Sequence, residues 1–289
     1  MSKLSSAEEA VKQIKDGDTV AFNGFAFGFG FAEEIAKALG KRYEEEGHPK
    51  ELTLLFGSGC GDGGVLKEDF GLDHLAKEGM VKRIIAGLAK KLSRMINENK
   101  IAAYNFPQGV VAHLFRAIAG GKPGVLTQVG LKTFADPRVE GGRMNQAAQG
   151  ESFVEVMEAA GKEYLLYRSI PVDVAIIRGT VGDEKGNMTV DKEGVLLETL
   201  HIAEAARNSG GIVIGQVKEV AKEGTLDPRE IYVPGIMVDT LVKAKPENHR
   251  MTCILDYDAS FTGEVKVPSD SIAPMEMGIR KVIAKRCAK

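Results

Sequence analysis

Four glycine-bearing segments hold the residue types best suited to chemistry: Asn23-Gly24-Phe25-Ala26-Phe27-Gly28-Phe29-Gly30, Gly57-Ser58-Gly59-Cys60-Gly61-Asp62-Gly63-Gly64, Gly87-Leu88 and Asn105-Phe106-Pro107-Gln108-Gly109. Glycine lets a ligand approach the main chain closely. Beside it, Phe25, Phe27, Phe29 and Phe31 could wall a small apolar acyl group, although aromatics following a buried strand more often join the core. Gln108 is a neutral amide in a Pro-Gln-Gly turn. It can hydrogen-bond a carboxylate or thioester oxygen without adding charge, while a solvated turn is the commoner role for such a residue. Gly24, Phe25, Ser58, Gly59, Gly87, Gln108 and Gly109 are therefore the candidate substrate-binding residues.

Other chemistries fit less well. Gly59-Cys-Gly61-Asp-Gly-Gly64 has the spacing of a dinucleotide fingerprint, yet Asp62, Glu68 and Asp69 crowd it. About twenty residues on, where a ribose-binding acid belongs, the chain reads Arg83-Ile84-Ile85-Ala86. In the first loop Glu33 and Glu34 occupy the following helical turn, where carboxylates suit the helix dipole but repel phosphate. His48, His74, His113, His201 and His249 have no metal-ligand spacing. Serine-hydrolase, zincin and P-loop signatures are absent from the sequence.

The elements that must position these loops alternate along the chain. Ser5 and Glu8 read as a capping box ahead of a helix through Ala10, Val11 and Ile14. After the Asp16-Gly17-Asp18 turn, Thr19 to Phe22 reads as a buried strand, followed by a glycine-rich loop and a helix from Ala32 to Glu45. Leu52 to Phe56, Arg83 to Ala86, Ile101 to Tyr104, Val125 to Thr127, Val172 to Ile177 and Ile212 to Val217 read as further strands. Helices are expected at Val110 to Ala119 and Glu198 to Asn208. Such alternation predicts an α/β fold, an open, mostly parallel sheet with helices on both faces. Its ligands belong in the loops at the carboxyl ends of the strands. The polar stretch Asp136 to Gly150 reads as a loop or an excursion away from the sheet. Residues 1–262 form the expected domain, and 263–289, with prolines and a short helix at Met277 to Lys285, the expected linker.

Composition narrows the class. The 289 residues are 44% hydrophobic and 27% charged, a globular balance, and 34 glycines imply many tight turns. A net charge of −2 offers no footprint for nucleic acid. Glu8 and Glu9 interrupt the N-terminal stretch, and no run reaches about eighteen apolar residues, so no membrane association and a cytoplasmic location are expected. Cys60, Cys253 and Cys287 read as reduced thiols.

Taken together, several segments resemble the family I coenzyme A transferases, in particular their single-chain acetate and propionate branch. They are Asp16-Gly-Asp-Thr-Val-Ala-Phe-Asn-Gly-Phe25, Ala103-Tyr-Asn-Phe-Pro-Gln-Gly109, Gly130-Leu-Lys-Thr-Phe-Ala-Asp-Pro-Arg138, Arg178-Gly-Thr-Val-Gly-Asp-Glu-Lys-Gly-Asn187, Leu226-Asp-Pro-Arg229 and Val233-Pro-Gly-Ile-Met-Val-Asp239. The resemblance implies a fold shared with sugar-phosphate isomerases. It also implies transfer of CoA from a short-chain acyl-CoA to a free acid such as acetate, with CoA as substrate and no permanently bound cofactor. In that family a glutamate becomes a glutamyl-CoA thioester. The nucleophile belongs to the second half, so this chain is expected to act as an alpha half beside a glutamate-bearing beta partner in a hetero-oligomer. Glu140-Gly-Gly142 and Glu193-Gly194 only superficially resemble the nucleophile's setting. The resemblance places Gly24 and Phe25 in the family's glycine loop and Gln108 facing the substrate carboxylate. Asn23 and Ala32 stand where that loop has glycine and proline, and Gly87-Leu88 where the branch often has glycine-histidine. The phenylalanines suggest a more apolar pocket than acetate requires. A non-catalytic metabolite-binding module is the alternative of another class. A sugar-phosphate isomerase lacks a recognisable acid-base pair here.

Overall fold

The computed structural model describes residues 2–62, 64–86 and 90–288. Its centre is an eight-stranded sheet built from the short apolar runs that the turns bracket: β1 (Leu4–Ser5), β2 (Thr19–Phe22), β3 (Leu52–Phe56), β4 (Val81–Ala86), β5 (Ala102–Tyr104), β9 (Val174–Asp183), β10 (Ile212–Ala221) and β11 (Thr240–Lys243). The spatial order is β1-β11-β10-β9-β2-β3-β4-β5, and every pairing is parallel. All of β3 is buried, as expected of a strand covered on both faces.

The order of the strands decides where the helices go and where the crevice opens. From β2 to β5 the chain steps one way across the sheet; from β9 to β11 it steps the other way. Right-handed crossovers then put α2 (Glu33–Glu46) and α5 (Thr199–Asn208) on opposite faces. Here α1 (Ala7–Val11) packs on α2, and α4 (Gln108–Ala119) packs on α5. The direction reverses between β2 and β9. At such a reversal the flanking loops part, leaving a crevice at the carboxyl ends of the strands.

Several expectations need correction. The first helix is capped one residue later than read: Ser6 Oγ accepts from the Glu9 amide at 3.2 Å, while Ser5 pairs in β1 with Val242. The strand read at Val125 to Thr127 is β6 (Gly124–Thr127), which lies outside the parallel sheet. It joins β8 (Lys162–Arg168) and β7 (Val154–Ala159) in a separate antiparallel sheet. Of the two readings of the stretch from 136 to 150, the loop is the one that forms, and only the excursion away from the sheet falls. The Met144 amide donates to Ala103 O at 2.9 Å, and Asn145 Nδ2 donates to Ile96 O and Ile101 O, so the loop covers the open edge of β5. The last helix, α6 (Ile279–Cys287), buries none of its residues, and Val265, Val267, Ile272, Met275 and Met277 ahead of it are exposed.

Candidate functional site

The loop after β2 divides its phenylalanines between two roles. Phe31 is buried and stacks on Phe22 with ring centres 5.6 Å apart, so it belongs to the core. Phe29 leans on Phe261 at 5.4 Å. Phe25 and Phe27 instead remain 37% and 50% exposed at the rim. Gly24 makes this arrangement possible. It adopts φ +149°, and a Cβ there would come within 2.3 Å of Cys60 Sγ and 2.9 Å of Phe31 Cδ2.

That close approach joins the first loop to the second. Ala26 bridges Cys60, and the Gly61 amide donates to Ala26 O at 3.1 Å. Ser58 and Gly59, both half-buried, are thereby held beside Gly24 and Phe25. Burial pushes the Cys60 thiol well above its ordinary range, so it packs rather than reacts.

Two further residues meet at the crevice, Asn23 at the head of the first loop and Glu198 from far along the chain. Asn23, 2% exposed, donates from Nδ2 to Gly30 O at 3.2 Å and to Thr199 Oγ1 at 2.7 Å. The neighbouring Glu198 occupies the position just before α5 and turns its carboxyl toward the end of β3. A Cβ built on Gly57 would stand 3.4 Å from its Oε1 and 3.5 Å from its Oε2. Burial pushes this carboxyl up, against the lowering influence of its own backbone amide and of His201. In the sequence Asn23 stands out only as a departure from the family loop, and nothing singles out Glu198. The asparagine in place of a glycine is the available signal.

Gln108 opens α4 directly after Pro107 and is exposed. Its side chain has no hydrogen-bond partner among the described residues, and the space around Gly109 is open. Three strand spacings separate the end of β5 from that of β2, about 14 Å across the sheet. Gln108 and Glu198 nevertheless stand at the starts of two helices packed against each other. Gly87 lies outside the described residues.

Behind the crevice lies a buried ionic network. Arg178 Nε stands 3.0 Å from Glu193 Oε2, and His249 Nε2 lies 3.3 Å from Glu193 Oε1. Gln216 Oε1 accepts from the Glu34 and Ile35 amides, which fixes its Nε2 toward Asn248 O and His249 Nδ1. His249 Nδ1 is therefore an acceptor, and its proton sits on Nε2 facing Glu193. Burial would raise the Glu193 carboxyl, but Arg178 and His249 overcome it and hold the group at about 2. Burial, helped by Arg178, lowers His249 to about 4 despite Glu193. Unfolded, this histidine would bind a proton near 6.5, so between those values the unfolded chain carries more protons than the folded one. Stability should therefore fall as pH drops from 6.5 through 4, with Glu193 extending the loss toward 2. Thermal midpoints measured across that range should decline in the wild type and flatten above pH 4 in His249→Gln.

A cleft of about 400 Å³ adjoins the first two loops and mixes Lys37, Lys67 and Arg250 with Glu33, Glu68 and Asp69. A larger hollow of about 540 Å³ runs along α5 from His201 in its first turn to Asn208 at its end, with Arg116, Ala119 and Gly120 at the end of α4. Among the described residues no three His, Cys, Asp or Glu side chains are grouped to hold a metal, and no helix is long and apolar enough to cross a membrane.

Comparison with known proteins fits this geometry. The coenzyme A transferase family model matches residues 4–244. The caffeate CoA-transferase of Acetobacterium woodii is 42% identical over 292 aligned positions, covering 100% of this chain and 55% of that protein. One subunit of the probable succinyl-CoA:3-ketoacid coenzyme A transferase of Bacillus subtilis strain 168 is 30% identical, covering 91% of this chain and 98% of its own length. Among solved structures, the acyl-CoA transferase YdiF of Escherichia coli O157:H7, described as a thioester complex with CoA, superposes with a TM-score of 0.88. It is 33% identical, and the match spans 99% of this chain and 54% of that one. This chain thus spans about half the length of the caffeate enzyme and of YdiF. With the family model covering most of its length and an α/β sheet shared with YdiF, this chain belongs to the coenzyme A transferase family.

Proposed function

We propose that this chain builds one wall of the cleft in which CoA passes from an acyl-CoA to a free carboxylic acid, and that the nucleophilic glutamate comes from a partner beta half. The observation that carries the reading is the paired glycine loops at the β2–β9 reversal, with Phe25 and Phe27 exposed beside Gly24. A glutamate carboxylate of the partner would attack the thioester carbonyl and expel CoA thiolate, leaving a mixed anhydride. The thiolate would then attack the glutamyl carbonyl and release the first acid. The acceptor carboxylate would complete the exchange by the reverse steps, with no net proton change. In this scheme Gln108 donates its amide N–H to the acid's oxygen, Gly59, Gly87 and Gly109 let the substrate approach the main chain, and Gly24, Phe25 and Ser58 line that approach.

Of the two glutamates whose setting superficially resembles the nucleophile's, Glu193 is locked in its buried pair, and Glu140 follows a segment that resembles a first-half loop of the family. The Bacillus relative, named as one subunit of its enzyme, supports a partner chain, and the same proposal places the enzyme in the cytoplasm. Residues 1–262 would be the domain and 263–289 the connector, its exposed apolar side chains meeting the second half. The acyl group is an apolar acid larger than acetate, an aromatic acid included. The exposed phenylalanines and the 42% identity to a caffeate enzyme support this choice.

Mixing the chain with a glutamate-bearing half should give CoA exchange between acyl-CoA and acid, and Gln108→Ala should lower kcat/KM for the acid on the order of tenfold, about one hydrogen bond. Ligand binding by the lone chain with no exchange from the folded mixture would favour a binding module instead.

A further inference from the structure

The hydrogen-bond inventory at the start of α5 is unbalanced. Thr199 donates its hydroxyl proton to Leu196 O at 2.7 Å, so toward Asn23 it can only accept, and Gly30 O can only accept as well. Both contacts require the amide nitrogen of Asn23. The orientation of the side chain is thereby settled, and its Oδ1 is a buried acceptor with no donor among the described residues. A buried acceptor left in that condition costs free energy unless something supplies a proton. One residue before Thr199, the Glu198 carboxyl lies against Gly57 with no cationic or donor side chain bonded to it among the described residues. A carboxyl keeps an accepting oxygen in either protonation state.

This corner of the crevice thus carries two acceptors that no other side chain of the described residues satisfies: Asn23 Oδ1, and the Glu198 carboxyl, which the fold supplies only with its own backbone amide. We infer that Asn23 and Glu198 form a hydrogen-bond-accepting specificity subsite that takes an O–H or N–H group of the substrate. It is separate from Gln108, whose amide suits the acid's carboxyl oxygen. The inference rests on the transferase reading above. A bare carboxylate is the wrong ligand for the corner, since two acceptors offer it nothing. Two parts of the reactants carry suitable donors: a hydroxyl on the acyl group, or an amide N–H of the pantetheine arm of CoA.

The test uses the chain assembled with its glutamate-bearing half, a matched pair of aromatic acids with and without a ring hydroxyl, and the Glu198→Ala, Glu198→Gln and Asn23→Gly variants. If the hydroxyl is the donor, Glu198→Ala should lower kcat/KM for the hydroxylated acid on the order of tenfold. The deoxy acid and the KM for acyl-CoA should stay unchanged. If pantetheine is the donor, the KM for every acyl-CoA should rise by a similar factor whichever acid is supplied. In either case Glu198→Gln, which keeps an accepting carbonyl, should recover part of the loss, and Asn23→Gly should change the same parameter. Folded variants, checked by circular dichroism, that match wild type in both arms would overturn the subsite while leaving the transferase reading intact. Absence of exchange by the wild-type assembly would instead overturn that reading and the subsite with it.

Discussion

Gly24→Ala should destabilise the protein by about 2–4 kcal/mol, enough to lower the thermal midpoint by several degrees, and should abolish most CoA exchange. The backbone at φ +149° is strained for any L side chain, and the new methyl would meet Cys60 Sγ at 2.3 Å. Cys60 cannot easily yield, because it is buried and its backbone is bridged to Ala26. Moving it would shift Ser58 and Gly59 together with the first loop. Gly109→Ala provides the contrast. Its surroundings are open and it lies in the first turn of α4, so alanine should leave stability unchanged or raise it by up to ~1 kcal/mol. Any fall in exchange by that variant would then reflect a lost approach of substrate to the main chain. A Gly24→Ala protein that melts with the wild type would show that the two loops are not packed as described.

Arg178→Met should cost still more, about 3–5 kcal/mol, because it leaves Glu193 buried without its cation. Arg178 Nη1 also donates to Arg250 O at 2.8 Å, so its loss loosens the segment that carries His249. The cost should be largest near neutral pH, where Glu193 is ionised, and should shrink in acid as the freed carboxyl takes a proton. The Arg178→Met, Glu193→Leu double variant should recover much of the loss, since an apolar pair of similar volume has no charge to desolvate. Chemical denaturation of the two variants at neutral and acidic pH provides the comparison. A single variant as stable as wild type would mean that the pair contributes nothing net.

How far the sequence can be read depends on whether the signal is local. β3 is legible at its observed bounds, and β2 likewise, because each is a short apolar run stopped by turn residues and buried on both sides. The helices α4 and α5 are legible from their apolar stripes. β7 and β8 escape notice: Val154-Glu-Val-Met-Glu-Ala159 leaves apolar Val156 and Met157 exposed, which blurs the alternation a half-buried strand should display. β1 has two residues, and its pairing with β11 joins Leu4 to Leu241, a contact that no local pattern announces. The candidate site divides in the same way. Gly24 sits in a loop and Gln108 at the first position of α4, both in segments whose composition marks them, whereas Asn23 meets Thr199 across 176 positions of sequence. Glu198 and the Arg178–Glu193–His249 network likewise emerge only once the strand order folds distant segments onto one rim.

The most direct test of the central claim is to incubate the chain with acyl-CoA, alone and with the glutamate-bearing half, and to map any covalently bound CoA by peptide mass spectrometry. The account predicts a glutamyl-CoA adduct on the partner half of the mixture and none on residues 1–289. A CoA thioester on a carboxylate of this chain, formed without the partner, would contradict it.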